Sequence, residues 1–301
     1  MTSDRTRKTV EWPTLMLLVL CYGVWLAAVS LVPDVSLLLA IVSCAVAMTL
    51  HSSLQHETLH GPTLINRPVS EWLVALPIGV FIPYRRFRQT HLEHHRDSRL
   101  TDPYDDPESN FLDPARWQEL GLGMKVLLSV NNTLLGRMIF GPAVGQTYFV
   151  AGDVRAVARG DMAVARAWGL HLLGLLVLVA LLSRIGTMPV WAYLVAAYLA
   201  LSILKIRTFL EHRAHEHAAG RTVVIEDRGI LALLFLNNNF HAVHHAHPAM
   251  PWYHLPGRYR DAKSQFLAHN DGYVFRSYRD VFRAYLLRRK DPVAHPLWRQ
   301  R

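Results

Sequence analysis

Apolar residues dominate two long stretches near the start of the chain, and a short polar turn separates them. The first stretch covers residues 12–32 and the second covers residues 35–54, with Pro33 and Asp34 between them. Each has about the length that an α-helix needs to cross a hydrocarbon core of roughly 30 Å. Proline and aspartate are typical turn residues. The pattern therefore predicts a transmembrane helical hairpin.

A second pair of apolar stretches covers residues 162–182 and 188–206 and predicts a second hairpin. A buried helix of a soluble protein is the alternative, but two bilayer-length runs joined by so short a turn favour a membrane protein. The stretch 72–84 is apolar but too short to span, and we expect it to be re-entrant or interfacial. The fold class predicted is an all-α membrane protein with four spans and a helical cap.

Composition agrees with this class. Of the 301 residues 51% are hydrophobic, and the formal net charge is +9. In a membrane protein such a charge reflects cytoplasmic loops that face anionic lipid, so we expect no nucleic-acid partner. No polar linker divides the sequence, and we expect a single domain over residues 1–301. Cys21 and Cys44 lie inside apolar stretches and indicate neither a disulfide nor a thiolate metal site.

Three short histidine clusters carry the candidate chemistry. Their spacings are HxxxH, HxxHH and HxxHH, and their members are His56, His60, His91, His94, His95, His241, His244 and His245. Residues three or four apart lie on one face of a helix, so each HxxxH directs two imidazoles at one point and each HxxHH up to three. Eight rings exceed the four ligands of a tetrahedral zinc site. The pattern predicts two metal ions in a nitrogen-rich site. His171, His269 and His295 stand alone and are interpreted as ordinary core or surface residues.

The distribution of Lys and Arg predicts the orientation in the membrane. These residues concentrate before the first span, in residues 85–99 and 155–159, and in the C-terminal segment from Arg258 onward. By the positive-inside rule these segments face the cytoplasm. We therefore expect a multi-pass protein of the inner cell membrane with both termini and all three histidine clusters on the cytoplasmic side.

In this order, with an apolar hairpin between the second and third, the three boxes resemble the integral-membrane fatty acid desaturase superfamily. That superfamily also contains hydroxylases and carotenoid ketolases. The run from Asn237 to Pro256, around the third box, is similar to its bacterial branch. The resemblance covers roughly residues 50–256 and the first hairpin. It implies two irons held by the eight clustered histidines, with His212, after the last span, as a ninth ligand.

The resemblance implies an O2-dependent oxidoreductase that desaturates a fatty acyl or similar lipid-like chain. Hydroxylation or ketolation of a carotenoid or another hydrophobic small molecule stays open, because all three reactions begin with the same hydrogen abstraction. Residue 241 is histidine where front-end desaturases carry glutamine, which disfavours that subgroup. The sequence shows no His-Pro-Gly-Gly motif of a fused cytochrome b5. We therefore expect a separate electron donor, ferredoxin with its reductase, which the basic cytoplasmic face would attract.

Several polar residues near the boxes are candidates for supporting roles. Asn237 stands four residues before His241, which makes it a candidate to share that helical face and hold a metal-bound water. The candidate hydrogen-bond acceptors that would orient metal-ligating histidine rings are Asp102, Asp105, Asp106, Glu57 and Glu93. Further candidates for the metal site are His51, His247 and His254.

Two other functions fit part of the pattern. Residues 56–60 match the HExxH signature of zinc metalloproteases, in which Glu57 would act as general base. That reading leaves most of the other patterned histidines without a role. A metal transporter or sensor is the non-enzymatic alternative. Transport sites tend to lie near the bilayer midplane, whereas these clusters lie at the ends of the predicted spans.

Overall fold

The computed structural model describes residues 10–61, 64–96 and 99–298, and helices dominate them. Within these residues four helices are long and apolar enough to cross a membrane. They occur as the two predicted pairs joined by short turns: α1 (Trp12–Ser30) with α2 (Leu37–His60), and α8 (Met162–Ile185) with α9 (Val190–Thr208). Helices α1 and α2 pack against each other, whereas α9 packs mainly against α2 and α7 (Leu134–Ala158) rather than against α8. The predicted all-α membrane class is confirmed. The main difference lies in α2, which continues six residues past the predicted end at 54, because the apolar pattern ends there but the helix does not.

Further helices, all but α7 short, connect and follow these pairs. Between them lie α3 (Arg67–Val74), α4 (Tyr84–His94), α5 (Pro114–Glu119), α6 (Leu122–Asn131) and α7 (Leu134–Ala158). After them come α10 (Ile230–Leu234), α11 (His241–Ala246), α12 (Leu255–Asp261), α13 (Lys263–His269) and α14 (Tyr278–Tyr285). Two short strands, β1 (Val224–Ile225) and β2 (Val274–Phe275), pair in parallel.

Helix α2 lies at the centre of the spans. It packs against both α1 and α9, and 56% of its most apolar window is buried, against 22% for α8. Small residues line its contact with α9, where Ala45 and Ala196 are at most 1% exposed. Small side chains allow helix backbones to approach closely in a membrane. The helix that carries the first histidine box is therefore the most firmly packed span.

Non-helical backbone enters the packed spans between α3 and α4. Residues 75–83 bring Ile78, which is 0% exposed, into the core formed by α1, α2, α8 and α9. The Ile78 carbonyl accepts a hydrogen bond of 2.8 Å from the Tyr193 hydroxyl, and the Val80 carbonyl lies 2.7 Å from Nε2 of His171. Irregular backbone at membrane depth needs such internal partners. This burial agrees with the expected re-entrant segment.

Helix α7 is absent from the hydropathy prediction. It begins at Thr133, whose hydroxyl accepts a hydrogen bond of 3.0 Å from the Gly136 amide, and it packs along α9. Charged residues interrupt its apolar pattern, and one of them has a structural role: Asp153 accepts two hydrogen bonds, of 2.9 and 2.7 Å, from Arg86 of α4. This buried ion pair fixes the helix that carries the second histidine box.

Candidate metal centre

Nine histidines converge in two adjoining groups. The ligand nitrogens within each group all lie within 4.8 Å of one another. The first group has five members: His56, His60, His91, His95 and His244. The second group has four: His94, His212, His241 and His245. The structure thus brings together all nine histidines that the sequence and the resemblance single out, and it divides them into two sets.

The first box occupies the last two turns of α2. His56 and His60 are four residues apart, their ring centroids are 5.1 Å apart, and both face the five-histidine group. The helix ends immediately afterwards at Gly61. Because the rings extend a continuous transmembrane helix, the packing of α2 sets their position.

Each HxxHH directs two rings at one group and the third ring at the other group. His91 and His95 join the five-histidine group, while His94 joins the four-histidine group. Box three is divided in the same manner, with residue 244 in the larger group and residues 241 and 245 in the smaller. On a helix with about 100° per residue, residue i+4 lies about 40° to one side of residue i and residue i+3 about 60° to the other. One box therefore serves two neighbouring sites.

Extended chain, rather than a long helix, brings His212 and the third box together. After α9 the backbone around His212 forms a bridge with Thr222. The Val223 amide then donates to the Glu211 carbonyl at 3.2 Å, and the Val223 carbonyl accepts from the Ala242 amide of α11 at 2.9 Å. This short ladder fixes the six-residue helix α11 beside His212.

Two carboxylates orient rings of the second box. Glu108 Oε1 lies 2.8 Å from His91 Nδ1, and Asp106 Oδ1 lies 2.8 Å from His94 Nδ1. A carboxylate at Nδ1 holds the ring proton there and leaves a lone pair on Nε2. These Nε2 atoms face the groups: His91 Nε2 is 3.1 Å from His95 Nε2, and His94 Nε2 is 2.8 Å from His212 Nε2.

The third box has a longer supporting chain. Asn238 Oδ1 lies 3.3 Å from His241 Nδ1, and Asn238 donates to Glu211 Oε1 at 3.0 Å. Glu211 in turn pairs with Arg207, at 3.1 Å. The His241 Nε2 atom is then 3.0 Å from His212 Nε2. Three rings of the four-histidine group thus present Nε2 atoms to a common space.

This donor set fits a pair of metal ions. Among the described residues, the buried Nε2 atoms of His56 and His60 have no hydrogen-bond partner. A buried polar atom without a partner costs about 1–3 kcal/mol, and a cation bound to the converging lone pairs would remove that cost. Imidazole nitrogens suit iron, copper, zinc and nickel.

Charge states support the same reading. Burial and the neighbouring rings lower the pKa of His95, His212, His241 and His244 below the ordinary value. These imidazoles are therefore neutral, as metal binding requires. Burial also acts to lower the pKa of His94, but the carboxylates of Glu108 and Asp106 outweigh it and raise this pKa to about 9. A metal ion at the four-histidine group must displace that proton.

The expectation that Asn237 shares the helical face of His241 is wrong. Helix α11 begins only at His241, and Asn237 precedes it with φ of 54° in the left-handed region. Its side-chain amide donates to the Trp252 carbonyl at 3.1 Å. The neighbouring Asn238 contacts the box instead. An i, i−4 argument requires a continuous helix, and the backbone turns before the box.

Of the candidate acceptors in the sequence, Asp106 alone contacts a box histidine within the part of the chain that the structure describes. Asp102 accepts from backbone amides of its own turn, and Asp105 is exposed. Glu57 is buried and accepts from the Trp252 amide at 3.1 Å, and Glu93 pairs with arginines of the same segment. Glu108, which orients His91, was missed because it lies in a loop, where no periodicity indicates which side chains face a site.

The remaining histidine candidates lie outside both groups. His51 is 3.0 Å from the Tyr22 hydroxyl, His247 accepts from Arg258 at 3.2 Å, and the ring of His254 contacts Tyr253. The three isolated histidines also lie elsewhere. His171 contacts the Val80 carbonyl, His295 contacts the Thr101 hydroxyl, and His269 is exposed.

Four apolar helices and two adjoining histidine groups, each of which could hold a metal ion, define a helical membrane protein with a nitrogen-rich candidate metal site. A sequence model of the fatty acid desaturase family matches residues 34–277. The chain belongs to the fatty acid desaturase family. No curated protein matches it. Membership implies an oxidoreductase, and members of this family typically bind two irons.

Proposed function

We propose that this protein is a membrane-bound, non-haem di-iron oxidoreductase that uses O2 and a reduced electron carrier to desaturate a fatty acyl or similar lipid-like chain. The observation that carries the proposal is the division of nine histidines into groups of five and four. Each group has a ligand set for one ion, and their adjacency suits a pair. Rings of the two groups approach closely: His95 stacks on His245 with centroids 4.2 Å apart.

Each proposed iron has its own set of ligands and supports. His56, His60, His91, His95 and His244 would hold one ion, and His94, His212, His241 and His245 would hold the other. When bound, the iron pair supplies activation of O2 and abstraction of hydrogen from an unactivated C–H bond. Glu108 and Asp106 keep protons on the Nδ1 atoms of their histidines and so hold the opposite nitrogens ready for metal.

Burial of the centre suits a reaction on an apolar chain. His56, His91 and His244 are at most 4% exposed, and the first two belong to helices whose neighbouring turns pack in the apolar core. Leu54 and Leu59 of α2 are both at most 2% exposed. An apolar chain that reaches the histidines from the membrane side meets little water, which protects reactive species from side reactions.

The orientation and the partners belong to the same proposal. We propose that the centre and both termini face the cytoplasm and that the protein lies in the inner cell membrane. Arginine-rich segments flank the histidine-bearing ends of the spans, which supports this orientation by the positive-inside rule. We propose ferredoxin and its reductase as the separate electron source. The abundance of arginine on this face supports an acidic carrier of that kind.

Metal analysis of the purified protein tests the centre. The protein is expressed with added iron, purified in detergent and assayed for iron and zinc. We expect two irons per chain, and we expect His94→Ala and His244→Ala each to lose metal while the protein still inserts in the membrane. His269→Ala, at an exposed histidine outside both groups, is the matched control. Stoichiometric zinc without iron, or full metal content in either alanine variant, contradicts the proposal.

Product analysis tests the reaction. Lipids and carotenoids of a bacterial host that expresses the protein are compared with those of a host that expresses His244→Ala. A new double bond that depends on the intact centre supports desaturation. Inserted oxygen in a lipid or carotenoid instead assigns the chain to the hydroxylase or ketolase branch. Peptide cleavage that requires Glu57 would return the zinc metalloprotease reading.

A further inference from the structure

The end of the chain contacts the metal centre although it lies outside the matched family region. The family model ends at residue 277, and α14 follows. We call residues 286–298 the tail. Its side chains reach two segments: the loop that carries Asp106, which contacts His94, and the extended chain that carries His212. These contacts indicate a role for the tail in building that group.

The tail first pairs with the loop that orients the second box. The Leu112 amide donates to the Val293 carbonyl at 2.9 Å, and the His295 amide donates to the Leu112 carbonyl at 2.8 Å. These bonds form an isolated parallel bridge between Leu112 and Ala294. The loop held in this manner runs from the end of α4 to α5, and it contains both Asp106 and Glu108.

A chain of hydrogen bonds then leads from the tail to a metal-facing ring. The Leu297 amide donates to His295 Nδ1 at 3.1 Å, so the proton lies on His295 Nε2, which is 3.2 Å from the Thr101 hydroxyl. The Thr101 amide donates to Asp106 Oδ2 at 2.8 Å, and the other oxygen of Asp106 contacts His94 at 2.8 Å.

Thr101 is a position that needs such support. Its φ is 69°, in the left-handed region that a β-branched residue rarely adopts. It is 2% exposed. A strained conformation persists only when surrounding contacts enforce it. The bond from His295 is one such contact, and the strained residue presents its amide to Asp106.

A second contact of the tail reaches the other side of the same group. The Lys290 ammonium donates to the Phe209 carbonyl at 3.2 Å and to the His212 carbonyl. The Lys290 amide also donates to the Asn132 carbonyl at 3.0 Å. The lysine side chain is 9% exposed. It therefore fixes the extended segment that follows α9 at the residue that faces the metal.

Both contacts end at members of the four-histidine group, His94 and His212. The local structure around these histidines explains why they require support from the tail. The five-histidine group contains two i, i+4 pairs, one on α2 and one at the end of α4, whose geometry the helices supply. The smaller group contains one such pair, His241 and His245, on the six-residue helix α11, which also carries one histidine of the larger group. His212 lies on extended chain, and His94 depends on Asp106 of a loop. Ordering separate segments costs conformational entropy, which fixed contacts reduce.

We infer that Lys290 and His295 are positioning residues that the four-histidine site requires in order to retain its metal, while the five-histidine site does not. The inference rests on the proposed di-iron function. Partners that orient metal ligands typically change metal affinity by about 10- to 100-fold. If metal affinity falls by a similar factor at only one of the two sites, the protein keeps one ion and loses the other.

The test compares His295→Ala and Lys290→Met with controls at exposed residues, His269→Ala and Lys263→Met. Each full-length protein is loaded with ⁵⁷Fe, passed over a weak chelator, and examined for iron per chain, for Mössbauer signals and for thermal unfolding. We expect the tail variants to fall from two irons to about one, with loss of one Mössbauer component. The controls keep both irons.

The outcomes separate the two proposals. Fewer than two irons in the wild-type protein contradict the di-iron function. Two irons in the wild type and in both tail variants, or equal loss of both Mössbauer components, overturn the role of the tail. Should His295→Ala not fold, Thr101→Val and Thr101→Ser decide the matter. The serine variant keeps the hydroxyl and is expected to keep both irons, whereas the valine variant loses one; equal behaviour of the pair overturns the inference.

Discussion

Replacing Asp106 by asparagine removes a carboxylate from the Nδ1 side of His94 and changes little in shape. Both residues are buried, at 5% and 2% exposure, and their contact is 2.8 Å. Asp106 Oδ1 also accepts from the Glu108 amide, at 2.9 Å. The substitution therefore disturbs a single carboxylate that organises both the loop and one ring of the four-histidine group.

The size of the effect follows from the type of bond. A hydrogen bond to a charged group contributes about 1.5–3 kcal/mol net, and each 1.4 kcal/mol is tenfold in an equilibrium constant. Metal at the four-histidine site should bind about 10- to 100-fold more weakly. Asp106 also raises the pKa of His94, which is about 9 without metal, so its removal weakens competition from the proton at pH 7. We expect metal to bind about tenfold more weakly than in the wild type at pH 7, and to show the full 10- to 100-fold weakening above about pH 9.

The assay is a titration of metal-free protein with cobalt(II) in detergent against a chromophoric chelator. The wild-type protein should bind two equivalents. In Asp106→Asn the first equivalent should bind as in the wild type and the second more weakly. Asp105→Asn is a matched control, because the neighbouring carboxylate is exposed. Unchanged binding of both equivalents in Asp106→Asn, or equal weakening in the control, would refute the reasoning.

Three further outcomes are expected. In metal-free protein the pKa of His94 is raised from 6.5 to about 9. Protonation of His94 therefore contributes up to about 3 kcal/mol to the free energy of unfolding, and this contribution is fully present below pH 6.5 and lost as pH rises to 9. Unfolding at several pH values should show the stability advantage of the wild type over Asp106→Asn shrinking across that window. Glu57→Gln should keep both irons and turnover, because an amide oxygen still accepts from the backbone; loss of turnover alone, with metals intact, would revive a catalytic role. Tyr193→Phe leaves the Ile78 carbonyl without its donor and should lower the free energy of unfolding by about 1–3 kcal/mol at unchanged iron content.

The histidines that could be predicted are those on regular elements. The spacing of His56 and His60 needs only a helix, and α2 supplies one. His212 came from a resemblance, because the turn of extended chain that delivers it leaves no periodic signal. The division of each HxxHH between two groups was also unpredicted, since it depends on where neighbouring helices stand rather than on one box.

The supporting residues show where sequence reasoning stops. Asp106 could be proposed because it lies among acidic residues shortly after the second box. Glu108 and Asn238 could not be chosen over Asp102 and Asn237, because a loop has no repeat that relates position to direction. Helix α7 escaped the hydropathy pattern because charged residues interrupt it, although Asp153 pairs with Arg86 and Arg137 donates to asparagines inside the protein.

The first box and a span share one uninterrupted helix, and this has a consequence for the surrounding lipid. His56 lies 19 residues after Leu37, about 29 Å along the helix axis, so no flexible joint separates the outer end of α2 from the ions it would help to bind. A helix whose apolar length differs from the bilayer thickness tilts or deforms the lipid around it. The height of the reactive centre above the hydrocarbon is therefore coupled to the acyl-chain length of the host membrane, and bilayers of graded thickness should change which carbon of a bound chain comes within reach.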